Sequence, residues 1–322
     1  MASDSMPQRD FDDLRLVAEL YYERGLTLQE IGHLTSQSVA TVSRMNSQAR
    51  KLGIVQISVV KSDADHTELS RWLSAELKVD VVVTPGMHSD PLTSARMTGA
   101  AAAPYLIDFL PQSGLVGWAS GATLDAAVTS MRNFNRPSLS AVPLIGGWDA
   151  QQTHLDANAL VQKFAEVSGA QPFTLHAPAS LDSVAARNAI MESSTVQKTV
   201  KLWDSIDTAI IGTGAPPLVP SNYFTVMDRT DETTRAGLAK LGIVGDVLAH
   251  LFDINGEFHA HEWTERVITM TLSQLKDVPH VIAVAGGQTK VQSLIGLART
   301  GYVHTIITDA TTGSRVRELL TK

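Results

Sequence analysis

A glycine-containing loop at residues 117–128, GWASGATLDAAV, holds the polar groups of this sequence that are best placed to bind a ligand. It joins a strand-like run to a helix-like run and contains Ser120, Gly121, Ala122 and Thr123. Backbone N–H groups at a helix N-terminus attract anions, and glycine lets a phosphate approach closely. The loop lacks the Walker lysine and the G-x-G-x-x-G spacing, which disfavours a nucleotide. Two interpretations stay open: a cradle for a phosphate or hydroxyl, and a plain tight turn.

Two further glycine loops follow strand-like runs. The prolines of GTGAPP, residues 212–217, fit poorly with the helix that a dinucleotide fingerprint opens, so we interpret this loop as a backbone turn. AGGQTK, residues 285–290, places Lys290 in the first turn of the next predicted helix. A lysine there suits a phosphate or a sugar hydroxyl, and an ordinary surface lysine is the alternative.

Acidic residues recur where strands are predicted to end. Asp246 lies in VGDVLAHLFD and Asp309 in IITDATTG. Carboxylates that converge on a pocket suit polyhydroxylated ligands, because each hydroxyl both donates and accepts hydrogen bonds. Asp309, followed by Thr311 and Thr312, equally fits a helix cap.

The segment HAHEWTE, residues 259–265, does not predict a metal site. His259, His261 and Glu262 lack the H-E-x-x-H spacing, and we predict a loop or strand edge here. No Ser-His-Asp order and no G-x-S-x-G elbow occurs in the sequence, so we expect neither a catalytic site nor a cofactor.

Charge is distributed unevenly along the chain. The formal net charge is -7, yet no aspartate or glutamate occurs from Ile31 to Ser62, while Arg44, Arg50 and Lys51 fall on one predicted helix. An acidic total argues against a protein that coats nucleic acid, but it does not exclude a local basic patch.

Three short helices and a strand are predicted around this acid-free stretch. Thr27 and Glu30 form a capping box before the second helix, and Ser38 caps the third. Apolar spacing predicts the buried residues: Leu14, Val17, Ala18 and Tyr21 in the first helix, Leu28, Ile31 and Leu34 in the second, and Val42, Met45, Ala49 and Leu52 in the third. With a strand over residues 54–60, the plan is a winged helix-turn-helix.

The polar side of the third helix suits a DNA major groove. Arginine and glutamine read base edges, threonine and serine contact phosphates, and alanine fits a thymine methyl group. The predicted DNA-binding residues are Thr27, Gln37, Ser38, Ala40, Thr41, Arg44, Ser47, Gln48 and Lys51. The alternative is a three-helix bundle with a solvated face.

From Val79 onward, continuous apolar runs alternate with helix-like segments. This pattern predicts a doubly wound, mostly parallel Rossmann-like α/β domain. We therefore expect a DNA-binding domain at residues 1–60 and an α/β ligand-binding domain at 61–322, with a linker helix at 61–78. Because the chain has no cysteine, no signal-like N-terminus and no long apolar run, we expect a soluble, unprocessed cytoplasmic protein.

An ordered set of motifs resembles one protein family along nearly the whole chain. LYYERGLTLQEIGHLTSQSVATVSRMNSQARKLGIVQISV resembles the DNA-binding domain of the SorC family of sugar-responsive bacterial transcriptional regulators. Seven later segments agree in order: VGWASGATL, VPLIGGW, LHAP, IIGTGAPP, VGDVLAHLFDINGE, VAGGQTKVQSLIGLARTG and IITD.

The resemblance implies a winged helix-turn-helix joined to an effector domain similar to sugar-phosphate isomerases, binding operator DNA as a homo-oligomer, typically a tetramer. It implies an effector pocket formed by Ser120, Gly121, Ala122, Thr123, Gln151 or Gln152, Asp246, Lys290 and Asp309. Few cations other than Lys290 lie near these loops, which favours a neutral sugar or polyol over a monophosphate, and both stay open. An isomerase-like enzyme with an N-terminal interaction module is the alternative function.

Overall fold

The computed structural model describes residues 8–55, 63–86, 90–132, 134–148, 156–217 and 232–322. The chain divides into two compact units, an N-terminal unit of residues 1–62 and a C-terminal unit of residues 63–322. In the described part of the chain, no helix has both the length and the apolar character needed to cross a membrane.

Within residues 8–55, the N-terminal unit contains three α-helices, α1 (Gln8–Ala18), α2 (Leu28–Thr35) and α3 (Val39–Lys51). Both predicted caps are present. The Thr27 hydroxyl accepts a hydrogen bond from the Glu30 backbone while the Glu30 carboxylate accepts one from the Thr27 backbone. Ser38 caps α3 by accepting from the Thr41 backbone at 3.1 Å. These caps define where the two helices of the helix-turn-helix begin.

Three residues that were predicted to be buried are exposed, and the prediction was wrong for each. Tyr21 lies in a π-helical turn that continues α1 from Glu19 to Glu23, whose wider turn moves it off the apolar face. Leu34 is 67% exposed, because at about 100° per residue it lies to the side of the stripe that contains Ile31. Leu52 is 50% exposed because the helix ends one residue earlier.

The predicted wing strand over residues 54–60 lies mostly outside the described residues. Ile54 and Val55, which are described, pack against the buried cluster of Leu14, Ala18 and Ala49. The chain therefore turns back onto the bundle after Gly53, whose φ of +73° is readily adopted by glycine.

Ten strands are found in the described residues of the C-terminal unit. They are β1 (Asp80–Thr84), β2 (Gly114–Trp118), β3 (Leu139–Pro143), β4 (Gln171–Pro172), β5 (Thr208–Ile211), β6 (Ile243–Val247), β7 (His250–Asp253), β8 (Phe258–His259), β9 (His280–Val284) and β10 (Thr305–Asp309). Seven form one parallel sheet in the order β1-β10-β9-β5-β2-β3-β4. The prediction of a parallel sheet from the apolar runs is confirmed.

The order of the parallel sheet reverses between β2 and β5. From β2 the chain proceeds outward through β3 and β4, then returns to place β5 on the other side of β2 and continues to β9 and β10. Ligands of open α/β sheets bind outside the carboxyl ends of the strands at such a switch point. The loops that follow β2 and β5 are therefore the natural place for a binding site.

Helices cover the parallel sheet in two groups. In chain order the helices of this unit are α4 (Asp63–Leu77), α5 (Pro91–Phe109), α6 (Ala122–Ser130), α7 (Ala157–Ser168), α8 (Val184–Met191), α9 (Ser194–Val200), α10 (Glu232–Lys240), α11 (Glu262–Glu265), α12 (Leu272–Asp277), α13 (Val291–Arg299) and α14 (Ala310–Leu320). Helix α5 packs on α6 and α6 on α7, while α4, α13 and α14 pack together. Leu69, Leu73 and Leu77 of α4 are buried in the main core, so this helix is part of the C-terminal unit.

A second, antiparallel sheet of β6, β7 and β8 was not predicted. Its first hairpin turns at Leu248 and Ala249, whose φ angles of +50° and +64° are uncommon for residues other than glycine, asparagine and aspartate. The sheet packs on α13, where the Ser293 hydroxyl donates to the Val244 carbonyl at 2.7 Å.

Candidate ligand site and nucleic-acid interface

The loop between β2 and α6 lies at the switch point of the parallel sheet, where a ligand is expected to bind. Gly121 is the N-cap of α6, with φ +132° and ψ 158°, and no side chain caps the helix there. A Cβ atom built on Gly121 meets none of the residues that the structure describes within 4 Å. Ser120, Ala122 and Thr123 are half-buried around it. The loop thus presents helix N–H groups, which favour an anionic or strongly accepting ligand group.

Asp246 is joined to the loop after β5 through its backbone. Its carbonyl accepts hydrogen bonds from the Gly214 backbone at 2.9 Å and the Thr213 hydroxyl at 3.0 Å. A Cβ atom on Gly214 would lie only 1.9 Å from Asp246 Oδ1, so glycine is required for this approach. Asp246 therefore lies beside the switch point, next to the end of β6, which belongs to the antiparallel sheet.

The Asp246 carboxyl group is buried and incompletely hydrogen-bonded. Its Oδ2 accepts from the Ala249 backbone at 3.3 Å, while Oδ1 has no hydrogen-bond partner among the described residues. Burial raises the pKa of Asp246 to about 6, and the positive charge of Lys290 opposes that rise. A buried acceptor without a partner is costly unless a ligand or water supplies a donor.

Lys290 reaches this region from the loop after β9. It ends a single 3₁₀ turn, Gln288–Lys290, that begins after Gly287 and leads into α13. Since α13 packs on β6, Lys290 lies close enough to Asp246 for its positive charge to act on the pKa of that carboxyl group. The structure thus brings together the cation and one of the two acids that the sequence nominated.

Asp309 occupies a different position. It is the N-cap of α14, accepting from the Thr312 backbone at 2.9 Å, as the helix-cap alternative predicted. Its Oδ2 also accepts from the Thr98 hydroxyl at 3.0 Å, the Thr312 hydroxyl at 2.6 Å and the Gly287 backbone at 3.2 Å. These bonds connect α5, α14 and the loop that carries Lys290.

The other two predicted effector residues are not described, and the histidines of residues 259–265, which were not predicted to bind a metal, contact neighbouring protein groups. Gln151 and Gln152 fall outside the described residues. His259 pairs with Asp253 at 3.2 Å, and the His261 ring accepts from the Trp263 backbone to cap α11. Among the residues that the structure describes, no group of three histidine, cysteine or acidic side chains could hold a metal ion.

The outer face of α3 carries the predicted DNA contacts. Ala40, Arg44, Gln48 and Lys51 are exposed along it, and Thr41 and Ser47 are half-buried at its edge. The other three predicted residues, Thr27, Gln37 and Ser38, are exposed at the starts of α2 and α3. Thr27 and Ser38 use their hydroxyls as helix caps, accepting from the backbone N–H groups of Glu30 and Thr41.

Sequence reasoning missed three residues at the ligand site. Thr213 and Gly214 were read only as a backbone turn, although glycine directly after a buried strand was a usable signal. Gly99 lies in α5, and a Cβ atom there would be 2.0 Å from the Thr123 carbonyl oxygen of α6. No local sequence pattern predicts that contact, because Gly99 and Thr123 belong to different helices.

Comparison with known proteins finds a family model that matches the C-terminal unit and relatives that match nearly the whole chain. Residues 63–317 match the model of a sugar-binding domain family. The chain is 27% identical over 326 residues to the sorbitol operon regulator of Klebsiella pneumoniae, covering 97% of this chain and 99% of that protein. It is 24% identical to the deoxyribonucleoside regulator of Bacillus subtilis, over 91% and 93% of the two chains.

A solved structure has the same fold over the full length. The crystal structure of the full-length sorbitol operon regulator from Klebsiella pneumoniae superposes with a TM-score of 0.75, covering 99% of this chain and 100% of that one at 23% sequence identity. The architecture predicted from the sequence therefore agrees with a known full-length fold.

Proposed function

The chain belongs to the sugar-binding domain family, and from this premise we propose that it is a transcriptional regulator controlled by a sugar, polyol or sugar-phosphate effector. The N-terminal unit binds operator DNA, and the effector binds at the switch point of the C-terminal unit. The names of the sorbitol operon and deoxyribonucleoside regulators support this function.

The buried Asp246 carboxylate is the observation that carries the effector site. In the part of the chain that the structure describes, its Oδ1 has no hydrogen-bond partner, although it lies beside Gly214 at the switch point. A ligand hydroxyl can donate to that oxygen and accept from a neighbouring group such as the Lys290 ammonium. A polyhydroxylated ligand therefore suits the site, with Asp246 and Lys290 on one side of it and Ser120, Gly121, Ala122 and Thr123 on the other.

Among polyhydroxylated ligands, a monophosphate can contact more groups of the proposed site than a neutral polyol can. The start of α6 at Gly121 has no side-chain cap, and no described residue comes within 4 Å of a Cβ atom built there, so its N–H groups are suited to a phosphate. The uncapped helix start therefore favours a monophosphate, whereas the small number of cations near the loops favoured a neutral ligand. Gln151 or Gln152 and Asp309 complete the proposed set, Asp309 by holding the Lys290 loop in place.

The proposed DNA surface is the exposed face of α3. Arg44 and Gln48 lie one helical turn apart on it, a spacing that allows both to reach base edges in one major groove. No aspartate or glutamate occurs between Ile31 and Ser62 to repel the phosphates. Thr27, Gln37, Ser38, Ala40, Thr41, Ser47 and Lys51 are assigned to the same surface.

We further propose a homotetramer in the cytoplasm, where operator DNA is found. The effector then acts through a coupling free energy, because it binds two states of the oligomer with different affinities. The two states differ in the spacing of the paired recognition helices, which sets their affinity for two half-sites. The isomerase-like alternative has no support from the named relatives, which are regulators.

Thermal unfolding against a ligand panel tests the effector class. A ligand that binds only the folded state raises the midpoint, by about 2.7 kcal/mol of stability at 100 times its Kd. We expect a rise with a hexitol 6-phosphate in the wild type and none in Asp246→Asn. A rise with the neutral hexitol alone would reject the phosphate preference, and no rise with any sugar, polyol or monophosphate would reject the effector class.

A further inference from the structure

We propose that Thr98 and Gly99 of α5 are positioning residues that hold the two sides of the effector site at a fixed separation. This inference rests on the proposed function, since it concerns the same site. The two sides are the start of α6 at Gly121 and the loop after β9 that carries Lys290.

The topology explains why α5 can connect them. Helix α5 links the edge strand β1 to β2, and β10, β9 and β5 lie between those two strands in the sheet. It therefore crosses the sheet over β10 and β9 before it packs on α6. One continuous helix thus passes both the Lys290 loop and the loop that begins α6.

Gly99 determines how closely α5 approaches α6. A Cβ atom at residue 99 would lie 2.0 Å from the Thr123 carbonyl oxygen and 3.1 Å from the Ala126 methyl group. Thr123 is in the first turn of α6, two residues after Gly121. Because the obstruction is backbone, an alanine at residue 99 can be accommodated only if the start of α6 moves away from α5 by about 1 Å.

Thr98 makes the matching contact with the other loop. Its hydroxyl donates to Asp309 Oδ2 at 3.0 Å, and the same oxygen accepts from the Gly287 backbone at 3.2 Å. A Cβ atom on Gly286 would lie 2.0 Å from Thr98 Oγ1, so the loop lies directly against the helix. Gly287 begins the turn that ends at Lys290.

Adjacent residues of one helix therefore touch both sides of the site. A ligand that contacts only one side should be insensitive to their separation. A ligand that spans both sides should bind less well when the separation changes by about 1 Å, since such misplacements can cost orders of magnitude in interactions that depend on orientation.

Gly99→Ala in the full chain tests the contact with α6. We expect its affinity for a hexitol 6-phosphate to fall at least about tenfold, while its affinity for inorganic phosphate, which occupies one side only, changes less than about twofold. The matched control is Gly237→Ala in α10, where an added Cβ atom meets no described residue within 4 Å, and it should bind both probes as the wild type does. A general loss of folded protein would lower both affinities equally.

Thr98→Val and Thr98→Ser test the other contact without adding bulk. Valine removes the hydrogen bond to Asp309 and should weaken hexitol 6-phosphate binding about fivefold, whereas serine, which keeps the hydroxyl, should restore it. Amide hydrogen exchange of α6 in Gly99→Ala, measured without ligand, should be at least about fivefold faster than in the wild type. That measurement judges the positioning role separately from the effector class.

The inference is overturned if Gly99→Ala and Thr98→Val bind the hexitol phosphate with wild-type affinity. Unchanged amide exchange across α6 in Gly99→Ala would also overturn it. A wild type that binds neither probe would instead refute the proposed effector, and the exchange measurement would still decide whether Gly99 holds α6 in place.

Discussion

Replacing Asp246 with asparagine should make the C-terminal unit more stable at neutral pH and remove effector binding. Burial raises the pKa of this carboxyl group from 3.8 to about 6 against the opposing charge of Lys290. Below pH 3.8 the group is protonated in both the folded and the unfolded chain. Between pH 3.8 and pH 6 the unfolded chain ionises this group in water while the folded protein keeps it protonated, so stability falls until the buried group also ionises.

The size of this loss follows from the shift. About two pKa units correspond to about 3 kcal/mol, which should be absent below pH 3.8 and complete above about pH 7. Asparagine at residue 246 has no such titration. The stability of Asp246→Asn relative to the wild type should therefore rise by about 3 kcal/mol between pH 4 and pH 7.5.

Denaturant unfolding followed by tryptophan fluorescence measures this difference. All five tryptophans lie between residues 72 and 263, so the signal reports the C-terminal unit. Asp253→Asn provides a control of opposite sign. Although burial raises the pKa of Asp253, hydrogen bonds from the Glu257 backbone and the His259 side chain lower it overall, so its contribution to stability is lost as the pH falls.

The reasoning about Asp246 is refuted by a flat difference curve. If Asp246→Asn and the wild type keep the same stability difference from pH 4 to pH 8, the carboxyl group is not held in an unfavourable buried state. A flat curve would also remove the argument that its Oδ1 awaits a ligand donor.

Three other substitutions have defined outcomes. Arg44→Ala should weaken specific DNA binding by about 1 to 3 kcal/mol in fluorescence anisotropy. Arg315, which is exposed and paired with Glu318 in α14, provides the control, and Arg315→Ala should have no effect. Equal DNA affinities of the two variants would exclude base reading by Arg44. Thr27→Ala removes the capping box and should destabilise the N-terminal unit by about 1 kcal/mol, seen as faster amide exchange in α2, and unchanged exchange would contradict this. Gly121→Ala has room for its methyl group but not for its φ of +132°, so it should abolish effector binding in calorimetry while the midpoint falls by only a few degrees; wild-type binding would exclude Gly121 from the site.

The parts of the fold that could be predicted are those with a local or periodic cause. Continuous apolar runs predicted the parallel strands because a strand buried on both faces has no polar positions. The cap at Thr27 and Glu30 was readable because a capping box lies within four consecutive residues. Ser38 could be predicted as a helix cap for a similar reason, because its hydroxyl accepts from a backbone N–H only three residues later.

What was missed depends on contacts between distant residues or on unusual backbone geometry. The hairpin at Leu248 and Ala249 has positive φ angles without glycine or asparagine, so no turn signal marked it. The hydrogen bond from Thr98 to Asp309 spans 211 residues. Tyr21 was misplaced because a π turn changes the register that the apolar spacing assumes.

The central claim is that one ligand bound at the switch point changes the affinity of the protein for DNA. Operator duplexes selected from a random pool on the full chain, followed by anisotropy titrations with and without the ligand that stabilises the C-terminal unit, measure this directly. We expect specific binding that weakens steeply with salt and changes at least about fivefold at saturating ligand, an effect absent in Asp246→Asn. A selected duplex that binds with the same affinity at zero and saturating ligand would contradict the account.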